Sequence, residues 1–222
     1  MPDSDLLPPA QRIALGYAPV GDRGAWSALL HFDVRLAGVI TQAREPMLAQ
    51  IRLAWWRDTL ALPPEMRPRG DTLLDTLSQE LRGIEDALVG MAAAWEVMLA
   101  EPPVTQEVLG EYLSQRAAAY AALHTLLCPE DQHGNGKAAA EQAARFWVLG
   151  DTLPRLSDLQ ERAQAGALAT ALPTRPEPLP RAMRPLAVLA ALGRRSIGGG
   201  GIEPLSDRID ALVAMRVGMF GR

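Results

Sequence analysis

Residues 71 to 99 read DTLLDTLSQELRGIEDALVGMAAAWEVML, with Leu73, Leu74, Leu77, Leu81, Ile84 and Leu88 spaced by three and four places. That is the period of an α-helix with one buried face, not the alternation of a half-buried strand. The same spacing recurs at Leu29, Phe32, Leu36 and Val39, and again towards the end of the chain from Leu205 to Met219. Apolar residues make up 48% of the sequence but aromatic residues only 5%. A core must therefore come mainly from Ala, Leu, Val and Met, which favour helices. The pattern predicts an all-α chain folded as a single helical bundle over 1–222.

Breakers divide this bundle into helices. An acidic, proline-broken stretch over 1–21 reads as an irregular arm. Helices are expected over 25–41 and over 45–62, the second with Pro46 in its first turn and Pro63–Pro64 beyond its end. Asp71 is a candidate N-cap for 71–99, and Gly83 and Gly90 are candidate bends. Further helices are expected at 108–124, 137–152, 185–196 and 205–219, with Pro154 kinking or restarting the chain between them. The segments 172–180 (LPTRPEPLP) and 197–204, with its four glycines, read as linkers within the domain.

Charge and cysteine usage narrow the function classes. The net charge is −4, so no basic field points to nucleic acid. Cys128 is the only cysteine, which rules out an internal disulfide and a cysteine-held metal, and fits a reducing cytoplasm. No apolar run reaches the roughly 18 residues that would span a bilayer.

Several constellations could carry chemistry. Asp71 and Asp75 share a helical face, as do Asp151 and Asp158 if the helix stays straight past Pro154. A capping aspartate explains the first pair without metal. His31, His124 and His133 lack metal-ligand spacing, and the four glycines follow no strand. In EPMLAQIRLAWWRDTL, residues 45 to 60, successive residues point about 100° apart. Leu48, Ile51 and Trp55 fall on one stripe, read as core. Arg52, Trp56 and Thr59 fall on the next, read as its edge, with Trp56 as one wall of an apolar pocket and Arg52 at its mouth.

The segment LLHFDVRLAGVITQAREPMLAQIRLAWWRDTL, residues 29 to 60, resembles the N-terminal helices of the squalene/phytoene synthase family. The likeness is to the divergent branch that includes mitochondrial complex I assembly factors and short bacterial homologues. It rests on Phe32, Glu45, Pro46, Leu48, Ile51 to Leu53 and Trp55 to Arg57. YLSQRAAAY (112–120), FWVLGDTLPRLSDL (146–159) and RPLAVLAALGRRSI (184–197) follow the family order more weakly. The resemblance implies a shortened isoprenoid-synthase-type bundle. It also implies a cavity in which two Asp-rich motifs hold Mg²⁺ against prenyl diphosphates. Where the first motif should supply aspartates, the chain has Ala37, Gly38 and Thr41. At the second, Ser157, Gln160 and Glu161 stand in for Asn, Arg and Asp.

The leading expectation is thus a non-catalytic relative that binds an isoprenoid or lipid-like molecule, or acts as an assembly or scaffold factor. It would reside in the cytoplasm or on the periphery of the inner membrane. Arg52, Trp55, Trp56, Arg57 and Phe32 are the ligand-binding candidates. Asp151, Asp158 and Glu161 are candidate metal ligands, and no cofactor is expected unless Mg²⁺ serves an active enzyme. The rivals are an active Mg²⁺-dependent head-to-head prenyltransferase, working through carboxylates such as Asp33, and an interaction module without a cavity. In the latter, the helix over 205–219 would dock a partner helix or an anionic membrane surface.

Overall fold

The computed structural model describes residues 7–43, 45–131, 135–173 and 177–221. Among them the regular structure is helical, with no strand. Ten α-helices follow in order: α1 (Pro9–Gly16), α2 (Arg23–Gln42), α3 (Pro46–Ala61), α4 (Thr72–Glu80), α5 (Glu85–Val97), α6 (Gln106–Leu127), α7 (Asn135–Thr152), α8 (Leu159–Thr170), α9 (Arg184–Gly198) and α10 (Arg208–Phe220). The all-α reading of the periodicity holds.

Two local expectations change, and the alternative left open at Pro154 is decided. The stretch over 1–21 is not irregular throughout: α1 forms over 9–16, with Pro9 at a helix start where its missing N–H is no loss. Ala10, Ala14 and Leu15 bury its inner side. The apolar face over 71–99 belongs to two helices, not one. Gly83 has φ +97°, a conformation open to glycine, and the chain turns there between α4 and α5, while Gly90 continues within α5. Pro154 lies in a short 3₁₀ turn, Leu153–Arg155, that separates α7 from α8. Residues 177–180 have no regular structure; residues 174–176 lie outside the described residues, as does His133. The four glycines close α9 and lead into a turn.

Side-chain caps explain several helix starts. Asp71 accepts from the N–H groups of Leu73 and Leu74 at 2.9 and 3.0 Å, Thr105 accepts from Val108 at 3.3 Å, and Asp158 accepts from Gln160 and Glu161 at 2.8 and 3.0 Å. The D-x-x-x-D at 71–75 is therefore opened by a cap. Asp71→Ala should lower unfolding stability by about 1 kcal/mol, read as a shift in the urea midpoint at unchanged slope.

The helices close on one continuous apolar cluster that includes the fully buried Trp26, Phe32, Tyr120 and Trp147. The tightest crossing is α7 on α9. A Cβ at Gly150 would lie 2.3 Å from the Gly193 Cα, and one at Gly193 would lie 2.2 Å from the Phe146 carbonyl oxygen. The two backbones touch, and Ser196 of α9 donates to the Gly150 carbonyl at 2.8 Å.

Candidate functional site

Two places in this bundle are candidates for function: a buried charged cluster at the centre and a groove on one side.

The centre is organised by α6. Tyr112, Arg116 and Tyr120 are four residues apart, so all three face inward. The guanidinium of Arg116 is 2% exposed, and all five of its N–H groups have acceptors. Nε donates to Asp33 Oδ1 at 2.8 Å, and Nη2 donates to Asp33 Oδ2 at 2.6 Å and to Asp151 Oδ2 at 2.7 Å. Nη1 donates to the Tyr112 hydroxyl at 3.0 Å and to Thr152 Oγ1 at 3.5 Å. Asp33 also accepts from the Tyr120 hydroxyl at 2.6 Å and from the Trp95 indole at 3.0 Å. Asp151 gains a second cation, Arg155, at 2.6 Å. Two carboxylates and two guanidiniums balance in charge, as burial requires.

The protonation equilibria follow. Burial alone would raise Asp151, but Arg116 and Arg155 outweigh it and hold its carboxyl below the ordinary value. Burial opposes the charge of Arg116, and the facing carboxylates more than offset this, raising it well above its usual value. Burial pushes the Tyr112 hydroxyl up to about 12, with Arg116 working against the shift. Burial and the Asp33 carboxylate push Tyr120 up as well. At neutral pH both phenols stay protonated.

The groove lies between α2, α3 and the start of α4, and encloses about 750 Å³. From α2 it is lined by Val34, Arg35, Gly38 and Val39, from α3 by Ile51, Arg52, Trp55 and Trp56, and from α4 by Leu73. Among the described residues no carboxylate lines it, while Arg35 and Arg52 do. Arg35 stands 3.8 Å from the capping carboxylate of Asp71.

The tryptophan pair is reversed from the sequence reading. Trp56 is 4% exposed and Trp55 is 42% exposed. The buried stripe of α3 is Ala49, Leu53, Trp56 and Leu60, while Leu48 and Ile51 face solvent with Trp55. Both stripes have helical spacing, but the one through Leu48, Ile51 and Trp55 continues into Asp58, which marks it as the outer face. The inner stripe begins with Ala49, whose small side chain lets α3 approach its neighbours. Phe32 meets Trp56 edge-on at 5.4 Å, and Trp56 meets Trp55 at 5.0 Å. Three of the five ligand-binding candidates, Arg52, Trp55 and Trp56, thus line the groove, and Phe32 supports Trp56 from beneath. Arg57 does not join them. It turns to Asp58 at 3.0 Å and to Glu96 of α5 at 2.5 Å.

The metal candidates do not converge. Asp151 is held by two arginines, Asp158 caps α8, and the buried Glu161 accepts from the Val104 N–H at 2.9 Å. Among the described residues, no group of three or more His, Cys, Asp or Glu side chains is placed to hold a metal ion. Asp33 is likewise committed to Arg116. These residues do not fit the Mg²⁺ that the family resemblance implies. Gly38, at an expected aspartate position, faces the groove, and Thr41 donates back to the Ala37 carbonyl at 3.2 Å.

Arg116, Tyr112, Tyr120 and Trp95 were not singled out by sequence reasoning. One signal was present: an arginine flanked by tyrosines at i−4 and i+4 on an Ala- and Leu-rich helix. Among the described residues no helix is long and apolar enough to cross a membrane. A scan against protein-family models, a search of curated proteins and a search of solved structures each found no match.

Proposed function

We propose that this protein is a non-catalytic helical binder of an isoprenoid or similar lipid-like molecule, held in the groove between α2, α3 and α4. It would be a squalene/phytoene synthase relative that has lost the diphosphate chemistry. The observation that carries the reading is the lining of the groove. Exposed Trp55 and Ile51 offer apolar surface, and Arg52, with Arg35 that also faces Asp71 at 3.8 Å, offers cations for an anionic head. A volume of about 750 Å³ suits a chain of that size.

The carboxylates available for an active synthase are already engaged. Asp33 and Asp151 neutralise Arg116, and Asp158 and Glu161 bind backbone N–H groups. Freeing Asp33 or Asp151 to bind a metal would leave the buried Arg116 with one carboxylate in place of two and unbalance the buried charges.

The test is a titration of tryptophan emission with farnesol and with a non-hydrolysable farnesyl diphosphate analogue. Both should bind. Trp55→Ala should weaken both by about tenfold, the scale of a buried aromatic anchor. Arg52→Ala should weaken the diphosphate analogue and spare farnesol. Release of diphosphate from farnesyl diphosphate in the presence of Mg²⁺ would sink the non-catalytic reading.

A further inference from the structure

The last helix is built inside out. Its buried positions are Asp210, Ala214 and Gly218, small or ion-paired residues at four-residue intervals. Its large apolar residues, Ile209, Leu212, Met215, Met219 and Phe220, are all between 49% and 68% exposed. An ordinary amphipathic helix buries its large residues and exposes its polar ones. Here the small inner face seats α10 closely, with the Tyr17 ring packed against Gly218, and the apolar side chains project outward. An exposed arc that carries five large apolar side chains marks a contact surface.

Charge decides what the surface fits. The exposed arc holds Arg208 and Arg216 and no carboxylate. Asp207 and Asp210 are both occupied: Asp207 caps the helix, accepting from the Asp210 N–H at 2.7 Å, and Asp210 pairs with Arg195 of α9. At the far end the partly buried Arg184 of α9 donates to the Val217 carbonyl at 3.2 Å. The exposed arc of α10 itself thus presents two cations, while the half-exposed Asp207 at its N-terminus is paired with Arg195. A second copy is a poor occupant. Two such helices paired antiparallel about Leu212 would bring Arg208 of each against Arg216 of the other.

We propose that α10 docks this protein onto an anionic lipid bilayer, with Leu212, Met215, Met219 and Phe220 entering the boundary between headgroups and acyl chains. Arg208 and Arg216 extend to lipid phosphates, their aliphatic stems lying along the apolar surface. The docking does not depend on the groove.

Co-sedimentation of the full chain with phospholipid vesicles tests it. The protein should bind vesicles containing about one third phosphatidylglycerol far better than pure phosphatidylcholine, and added salt should release it. Arg208→Glu with Arg216→Glu should lower binding at least tenfold, since each cation near an anionic surface contributes about a fivefold factor. Leu212→Glu with Met215→Glu should abolish it, and Trp55→Ala should leave it unchanged. All four α10 positions are exposed, so circular dichroism should report native helicity in each variant. Three results would each overturn the proposal: no binding by the wild type, binding indifferent to the α10 substitutions, or a dimer in light scattering that Leu212→Glu dissolves.

Discussion

Arg116→Met is expected to lower unfolding stability by about 3–5 kcal/mol, the scale for removing one partner from a buried ion pair. Methionine fills much of the space, so the loss is electrostatic more than steric. Among the described residues it leaves Asp33 with the Tyr120 hydroxyl and the Trp95 indole against its charge, and Asp151 with Arg155. Urea unfolding across a pH series separates this cause from packing. The folded-state pKa of Asp151 is depressed. Its stabilisation is therefore present above the unfolded carboxylate value of about 3.9 and is lost as pH falls through the lower folded value. In Arg116→Met that depression shrinks, so the gap between variant and wild type should narrow on acidification. A deficit independent of pH would mean that packing alone is responsible. At the alkaline end, Tyr112 is raised to about 12. Its contribution is complete below the unfolded phenol value of about 10 and fades as pH rises through the folded value.

The second large effect is expected at the crossing of α7 and α9. Gly193→Ala would put a methyl group 2.2 Å from the Phe146 carbonyl oxygen, and its other near neighbours are also main-chain atoms. Ordinary contact needs about 3.5 Å, so the helices must part by roughly an ångström. No flexible side chain can give way instead. The cost should reach about 3 kcal/mol, the upper end for overpacking, and should loosen the bond from Ser196 to the Gly150 carbonyl. Gly110→Ala is the control. It lies within α6 with nothing within 4 Å of the added methyl, and should stabilise by about 0.5–1 kcal/mol. Thermal unfolding that ranked the two alike would contradict the reading of the crossing.

Much of the fold was legible because its signals are local. Period, caps and prolines act within a few residues, which is why α2, α3, α9 and the Asp71 cap were readable. The sharp turn at Gly83 was hinted at by composition but needed backbone geometry to separate α4 from α5. The candidate site was less legible, because it depends on which of two apolar stripes of α3 faces inward. That choice is made chiefly by α5, which begins more than twenty residues beyond the end of α3, and only Asp58 on the outer stripe betrayed it. The Arg116 cluster is less local still. Asp33, Arg116 and Asp151 come from three helices, and an arginine on a helix looks like a solvated one until both carboxylates are seen to face it.

The exposure of Trp55 has an optical consequence. Of the five indoles, Trp26, Trp56, Trp95 and Trp147 are each no more than 7% exposed, and Trp55 alone meets water. A collisional quencher such as acrylamide should therefore act on one fluorophore selectively, and that fluorophore stands in the groove wall. The protein carries a built-in gauge of whether the groove is filled, readable without label or modification.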